Sequence, residues 1–220
     1  MPAHRSQPSD RPTPVRVTFG SMRHGLYLAP FEELSSPDRV VEVARAAESA
    51  GWDGLFLWDH VLRDPDEVQR VADPWITLAA VAVATERLRL GPMVTPLSRR
   101  RIATYLRQTT TLDHLSGGRL TVGVGLGVDG GGELTRFGEE TDPRTRAEVL
   151  DEATDVLVRA WAGEHVEHRG DHVVVDGVTF SPTPVQRPRP PLWCAARARA
   201  LRPVRRAARF DGLFLIEVGV

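Results

Sequence analysis

The sequence predicts an α/β fold on a parallel sheet, and two observations carry the prediction. Its strand-like runs are apolar throughout, as expected of strands covered on both faces. Those runs alternate with helical segments bounded by cap and stop residues, the order of a doubly wound sheet or of a barrel. Residue patterns alone leave these two architectures open.

Residues 1–22 are rich in proline, serine and arginine with no apolar period and read as a disordered tail, with the folded domain over residues 23–220. Residues 25–29 form a short apolar run closed by Pro30. A helix over 37–50 follows, with Val40, Ala44 and Ala47 on one face, Ser36 as N-cap and Gly51 as stop. Residues 53–58 are the second run, ending in Asp59 and His60, and the next helix, 74–85, has Asp73 as cap and Pro74 at its first position. The third run, 88–94, leads to a helix over 101–115 that stops at Gly117 and Gly118, and then to a fourth strand at 120–126. Beyond a Gly-rich acidic stretch lie a helix over 143–161 and an alternating segment, 165–180, which reads as a hairpin turning at Asp176 and Gly177. A Pro-rich connector precedes a fifth strand at 192–195, a helix at 201–209 and a sixth strand at 212–216.

Composition narrows the function classes. The 220 residues are 41% hydrophobic and 26% charged with a net charge of −1, so nothing points to nucleic acid or to a charged membrane surface. No apolar run approaches the roughly 20 residues of a bilayer span, and the N-terminus lacks a signal-peptide core, which sets the expectation of a soluble cytoplasmic protein. A single cysteine, Cys194, allows neither an internal disulfide nor a thiolate metal cluster.

Ligands of parallel α/β folds sit at the carboxyl ends of the strands, so the residues there are the candidates. Asp59 and His60 are the one acid and imidazole pair among them. His60 suits proton donation or acceptance with Asp59 orienting it, although neighbours in an extended chain point to opposite sides. Gly125, Gly127 and Gly130 have the spacing of a dinucleotide fingerprint but are not followed at once by a helix. Glycines on the inner face of a strand, admitting a flat ring or tight packing, are the better reading. Ala195, Ala196 and Arg197 precede a helix N-terminus and form the favoured anion site. The run Arg99 to Arg101 reads as a solvated face, and His165, His168 and His172 as surface residues of the hairpin, not as metal ligands.

Taken together, Ala50-Gly-Trp-Asp-Gly-Leu-Phe-Leu-Trp-Asp-His60, Ala72-Asp-Pro-Trp75, the stretch from Ala84 to Thr95, Thr111-Leu-Asp-His-Leu-Ser-Gly-Gly-Arg119 with Gly123 to Gly127, and Arg136-Phe-Gly-Glu139 resemble the luciferase-like flavin- and deazaflavin-dependent oxidoreductases. Pro184 to Pro188 and Ala207 to Gly212 resemble them too. The resemblance implies a TIM-type (β/α)8 barrel with coenzyme F420 or FMN at the strand ends and a small organic substrate. His60 would stand beside the redox ring. Thr95 would end the third strand, where the family has a backbone bulge, often with a non-proline cis bond, that supports the ring, and Gly125 and Gly127 would flank it. Alanines at 195 and 196, where the family usually has glycine, would narrow the phosphate site. The apolar helices 74–85 and 101–115 suit a homodimer interface. A complete barrel of this type takes about 250 residues; with six strands, this chain reads as an incomplete one. The enzyme reading therefore stands beside an alternative, a catalytically silent flavin-binding or truncated remnant.

Overall fold

The computed structural model describes residues 22–197 and 200–216, so all of the predicted tail but Met22 lies outside the described residues. Strands β1 (Gly25–Leu28), β2 (Gly54–Leu57) and β3 (Arg89–Pro92) form one parallel sheet in that order. A second sheet contains β4 (Thr95–Pro96), β5 (Val122–Gly125), β8 (Leu192–Ala196) and β9 (Gly212–Leu215), again parallel. A parallel bridge between Leu90 and Leu120 joins the two, and Arg89 crosses the junction to Thr121 Oγ1 (3.0 Å) and the Leu120 carbonyl (2.9 Å). The parallel strands thus follow one another in an arc, and among the described residues no ladder joins β1 to β9.

The predicted third strand is two pieces. A cis peptide between Met93 and Val94 stands between β3 and β4, in the strand-end region where the resemblance implied a bulge with a non-proline cis bond.

Alternation of side chains sorts the strands into two faces. Leu55, Leu57, Leu90, Val122, Val124, Leu192 and Cys194 are buried in the main core with the helices. These helices are α1 (Pro37–Ser49), α2 (Pro74–Ala84), α3 (Ile102–Leu115) and α4 (Pro143–Trp161), followed by the short α5 (Leu201–Ala207). Asp73 caps α2 by accepting from Ile76 N (2.9 Å), and Asp142 caps α4 by accepting from Thr145 N (3.1 Å). Ser36 occupies the N-cap position of α1 but makes no side-chain cap bond, and Pro37, lacking an N–H, opens the helix. Most apolar residues of α2 enter this core, while Ile76 and Val83 stay exposed.

The hairpin, β6 (His165–Arg169) with β7 (Val174–Thr179), is present, but it does not turn at Asp176 and Gly177. Residues 170–173 make the turn, closed by Gly170 N donating to Val173 O (3.0 Å). Glu152 of α4 pins it by accepting from the backbone N–H groups of Asp171, His172 and Val173. Asp176 and Gly177 fall instead where the ladder shifts register, with Gly177 at φ +65° absorbing the extra residue. His168 and His172 face carboxylates of α4, Glu152 and Glu148, and among the described residues no group of side chains could hold a metal.

Candidate functional site

At the end of β2 the extended backbone splits two neighbours between opposite directions. Asp59 turns inward. Its fully buried carboxylate accepts from Thr95 Oγ1 (2.7 Å), Trp75 Nε1 (3.1 Å) and Arg100 Nη2 (2.8 and 2.9 Å to its two oxygens), and Arg99 Nη2 lies 3.3 Å from Oδ1. His60 turns toward the strand-end face, where its ring meets Phe31 and Trp58 at centroid distances of 5.9 and 5.8 Å. Trp58 stacks on Tyr27 (5.4 Å), and Tyr27 meets Phe214 of β9 edge-on (5.0 Å). Five rings from four chain segments form a cup. Tyr27 keeps 42% of its surface exposed, and partial desolvation beside the other rings pushes its phenol up to about 12, so it is a neutral hydroxyl near pH 7.

The expectation that Asp59 orients His60 is corrected, because its oxygens are committed to two arginines, Trp75 and Thr95. The imidazole is held by Glu133, 73 residues along the chain, whose Oε1 lies 2.8 Å from His60 Nδ1. Glu133 has no side-chain exposure, and its Oε2 accepts from Arg99 Nη1 (3.1 Å) and Val61 N (3.3 Å). Arg99 also donates to the Asp59 carbonyl (2.9 Å), so one guanidinium ties both carboxylates to the strand end. With its side chain 4% exposed, Arg99 is no part of a solvated face, and Arg100 beside it is largely buried; Arg101, at the N-cap of α3, is exposed. A cleft of about 200 Å³ lined by His60, Val71, Ala72 and Asp73 opens on one side of this cluster. Another of about 180 Å³, lined by Arg99, Arg100, Phe137 and Glu139, opens beside Val61.

The remaining predicted residues divide. Thr95 is fully buried and spends its hydroxyl on Asp59. A Cβ on Gly125 would stand 2.8 Å from Val94 Cγ2 and 3.2 Å from Ala195 Cβ; at Gly127, φ is +72° and a Cβ would stand 2.9 Å from the Pro96 ring. Both glycines are therefore required by contacts within the protein, the packing reading of the pair. Ala195 is half-buried on the face of β8 toward Gly125, Ala196 is buried and Arg197 exposed. The helix they precede, α5, has only seven residues and no side-chain cap, and residues 198–199 before it lie outside the described residues.

Comparison with known proteins decides the family. The sequence profile of the luciferase-like monooxygenases matches residues 16–217. The chain belongs to that family. It is 31% identical over 195 residues to an F420-dependent hydroxymycolic acid dehydrogenase of Mycobacterium tuberculosis, covering 87% of this chain and 51% of that protein. To an uncharacterised protein of Sinorhizobium fredii it is 40% identical over 158 residues, covering 72% of this chain and 44% of the relative. The chain thus spans about half the length of these curated relatives. Among solved structures, an F420-dependent secondary alcohol dehydrogenase in complex with an F420-acetone adduct superposes with a TM-score of 0.76 at 24% identity, covering 87% of this chain and 57% of that one. Monooxygenase RslO1 of Streptomyces bottropensis gives 0.72 at 26%, covering 86% and 57%.

Family-like motifs here do two kinds of work. Arg119 donates all five of its N–H groups, to the carbonyls of Ala82, Thr85, Leu88 and Ser116 and to Thr85 Oγ1. Asp113 accepts from Val185 N, Gln186 N and Gln186 Nε2, joining the Thr111 to Arg119 stretch to the Pro184 to Pro188 stretch. These bonds fasten the end of the sheet opposite the cup. Sequence reasoning missed Glu133, Arg99 and Arg100; the one local signal for Glu133 was a lone acid between a glycine run and Leu134.

Proposed function

We propose that this chain binds a redox cofactor of the F420 or FMN type against the aromatic cup and uses His60 to move a proton while a small organic substrate is oxidised or reduced. The observation that carries this reading is His60 itself. Its Nδ1 is tied to the protein, while Nε2 has no hydrogen-bond partner among the described residues and lies at the strand-end face among flat aromatic walls. The residues fit a planar ring. Trp58 Nε1 is a buried N–H without a partner among the described residues, and the Tyr27 and Phe31 rings, with Phe214 against Tyr27, offer apolar surfaces around it. Tyr27, Trp58 and His60 would hold the ring, and Ala195, Ala196 and Arg197 would meet its tail. When bound, the cofactor supplies the hydride or oxygen chemistry. The protein's part is to seat the ring, keep water from the cup and hold a proton at His60 Nε2.

F420 is the preferred cofactor because the M. tuberculosis relative, aligned over 87% of this chain, is F420-dependent. Likeness to the S. bottropensis monooxygenase supports a second reading, FMN with oxygen activation. Titrating the purified protein with each cofactor and following ring fluorescence tests the proposal. Saturation at concentrations on the order of tens of micromolar is expected for one of them, and no binding of either sinks the reading. Binding by wild type with turnover of a secondary alcohol, reduced about 10²–10⁴-fold in His60→Ala, supports the proton role. Binding without any turnover supports the catalytically silent alternative.

A further inference from the structure

The imidazole of His60 has two nitrogens, and which one carries the proton decides whether the strand-end face meets an acceptor or a donor. Among the described residues one partner bears on that choice. Glu133 Oε1 lies 2.8 Å from Nδ1, and its other oxygen accepts from Arg99 and from Val61 N. An ionised carboxylate has no proton to give, so a hydrogen bond at that distance requires the proton to sit on Nδ1. We propose that Glu133 is the positioning residue of this site, fixing neutral His60 as the Nδ1–H tautomer so that Nε2 is presented as the proton acceptor. The proposal rests on the functional reading above only for what Nε2 then does. A proton leaving a substrate hydroxyl bonds to the Nε2 lone pair, the imidazolium formed keeps its Nδ1–H bond to Glu133, and loss of that proton to water restores the neutral ring.

The other charged groups around the imidazole do not compete for this role. Asp59 directs its carboxylate to Arg100, Thr95 and Trp75. Arg99 and Arg100 have no lone pair to offer and are held by Asp59 and Glu133. Asp73 caps α2, and Glu139 lines the cleft beyond Glu133.

The geometry makes a sharp prediction for Glu133→Gln. Arg99 Nη1 and Val61 N both need an acceptor, so the amide must turn its oxygen to them and its NH2 toward His60. The NH2 then donates to Nδ1 and the proton moves to Nε2, so the variant presents a donor where wild type presents an acceptor. Ring nitrogen shifts of His60, measured by 15N NMR on the full chain at mildly alkaline pH and assigned with His60→Gln, report the tautomer directly. The expected result is Nδ1–H in wild type and Nε2–H in Glu133→Gln. Proton on Nε2 in wild type, or the same tautomer in both proteins, overturns the proposal. If the variant does not fold, the wild-type spectrum alone decides. Because no cofactor is present in this measurement, it stands apart from the fluorescence titration: a chain that binds neither cofactor but shows the swap keeps the positioning role and loses the functional reading.

Discussion

Replacing Asp59 with alanine removes the acceptor on which four donors converge. Its carboxylate is wholly buried and bonded to Thr95, Trp75 and Arg100, with Arg99 also within reach. The substitution leaves Arg100 without its carboxylate, Arg99 with Glu133 as its one carboxylate beside the residue-59 carbonyl, and two neutral donors unpaired in a buried site. Removing one partner of a buried ion pair costs about 3–5 kcal/mol, most of it the expense of the charge left behind. Partial exposure of Arg100 sets the lower end of that range, and the stranded Trp75 and Thr95 donors set the upper. Against a typical total of about 5–15 kcal/mol this is a large fraction. In urea titrations followed by tryptophan fluorescence, a slope of about 2 kcal/mol per molar converts it to a midpoint lower by about 1.5–2.5 M. Arg100→Met made alone and combined with Asp59→Ala closes a cycle, and the double variant should recover part of the loss because no uncompensated arginine remains at that position. A cost below about 1 kcal/mol for Asp59→Ala, the level of an exposed pair, would refute the assignment of Asp59 as a buried anchor.

Two further perturbations test the scaffold. Arg119→Lys replaces five fork-like donors with three, stranding part of the carbonyl set from Ala82, Thr85, Leu88 and Ser116; a loss of about 1–3 kcal/mol in the same urea assay is expected, and an unchanged midpoint would count against the five-bond role. At Glu152, burial would raise the carboxyl, yet the backbone N–H groups of Val173, His172 and Asp171, with the His168 side chain, hold it below its ordinary value. Its stabilising contribution is therefore complete above the unfolded value of about 4.3 and is lost as pH falls through the lower folded value. Protection of those three amides against hydrogen exchange should fall in that acidic window, and in Glu152→Gln the acid-dependent part should vanish.

The elements were legible where caps and periodicity act locally. Asp73 followed by Pro74 marks the start of α2 because a side-chain acceptor and a missing N–H answer the same helix-end requirement within four residues. The hairpin turn was misplaced because Asp-Gly serves a bulge as well as a turn, and its position was settled by Glu152 from a different element. Strand-end logic found His60 and Asp59 but gave Asp59 the wrong neighbour. The true contacts join residues 16 to 73 positions apart, which no local pattern encodes. Three consecutive arginines look solvated until two buried carboxylates arrive to neutralise the first two, Arg99 and Arg100, and that arrival is a property of the fold. Burial of Thr95 was hidden for the same reason.

The side chains of Asp59, Glu133, Arg99 and Arg100 carry two negative and two positive charges, so the cluster beneath the cup is electroneutral as long as His60 is neutral. A single proton on His60 tips it to +1 in a region where little water can screen the change. The strand-end face is then a one-proton charge switch. Its charge before and after a proton transfer differs by one unit at a ring only 15% exposed, and an anionic group in the cup would be held more tightly in the second state than in the first.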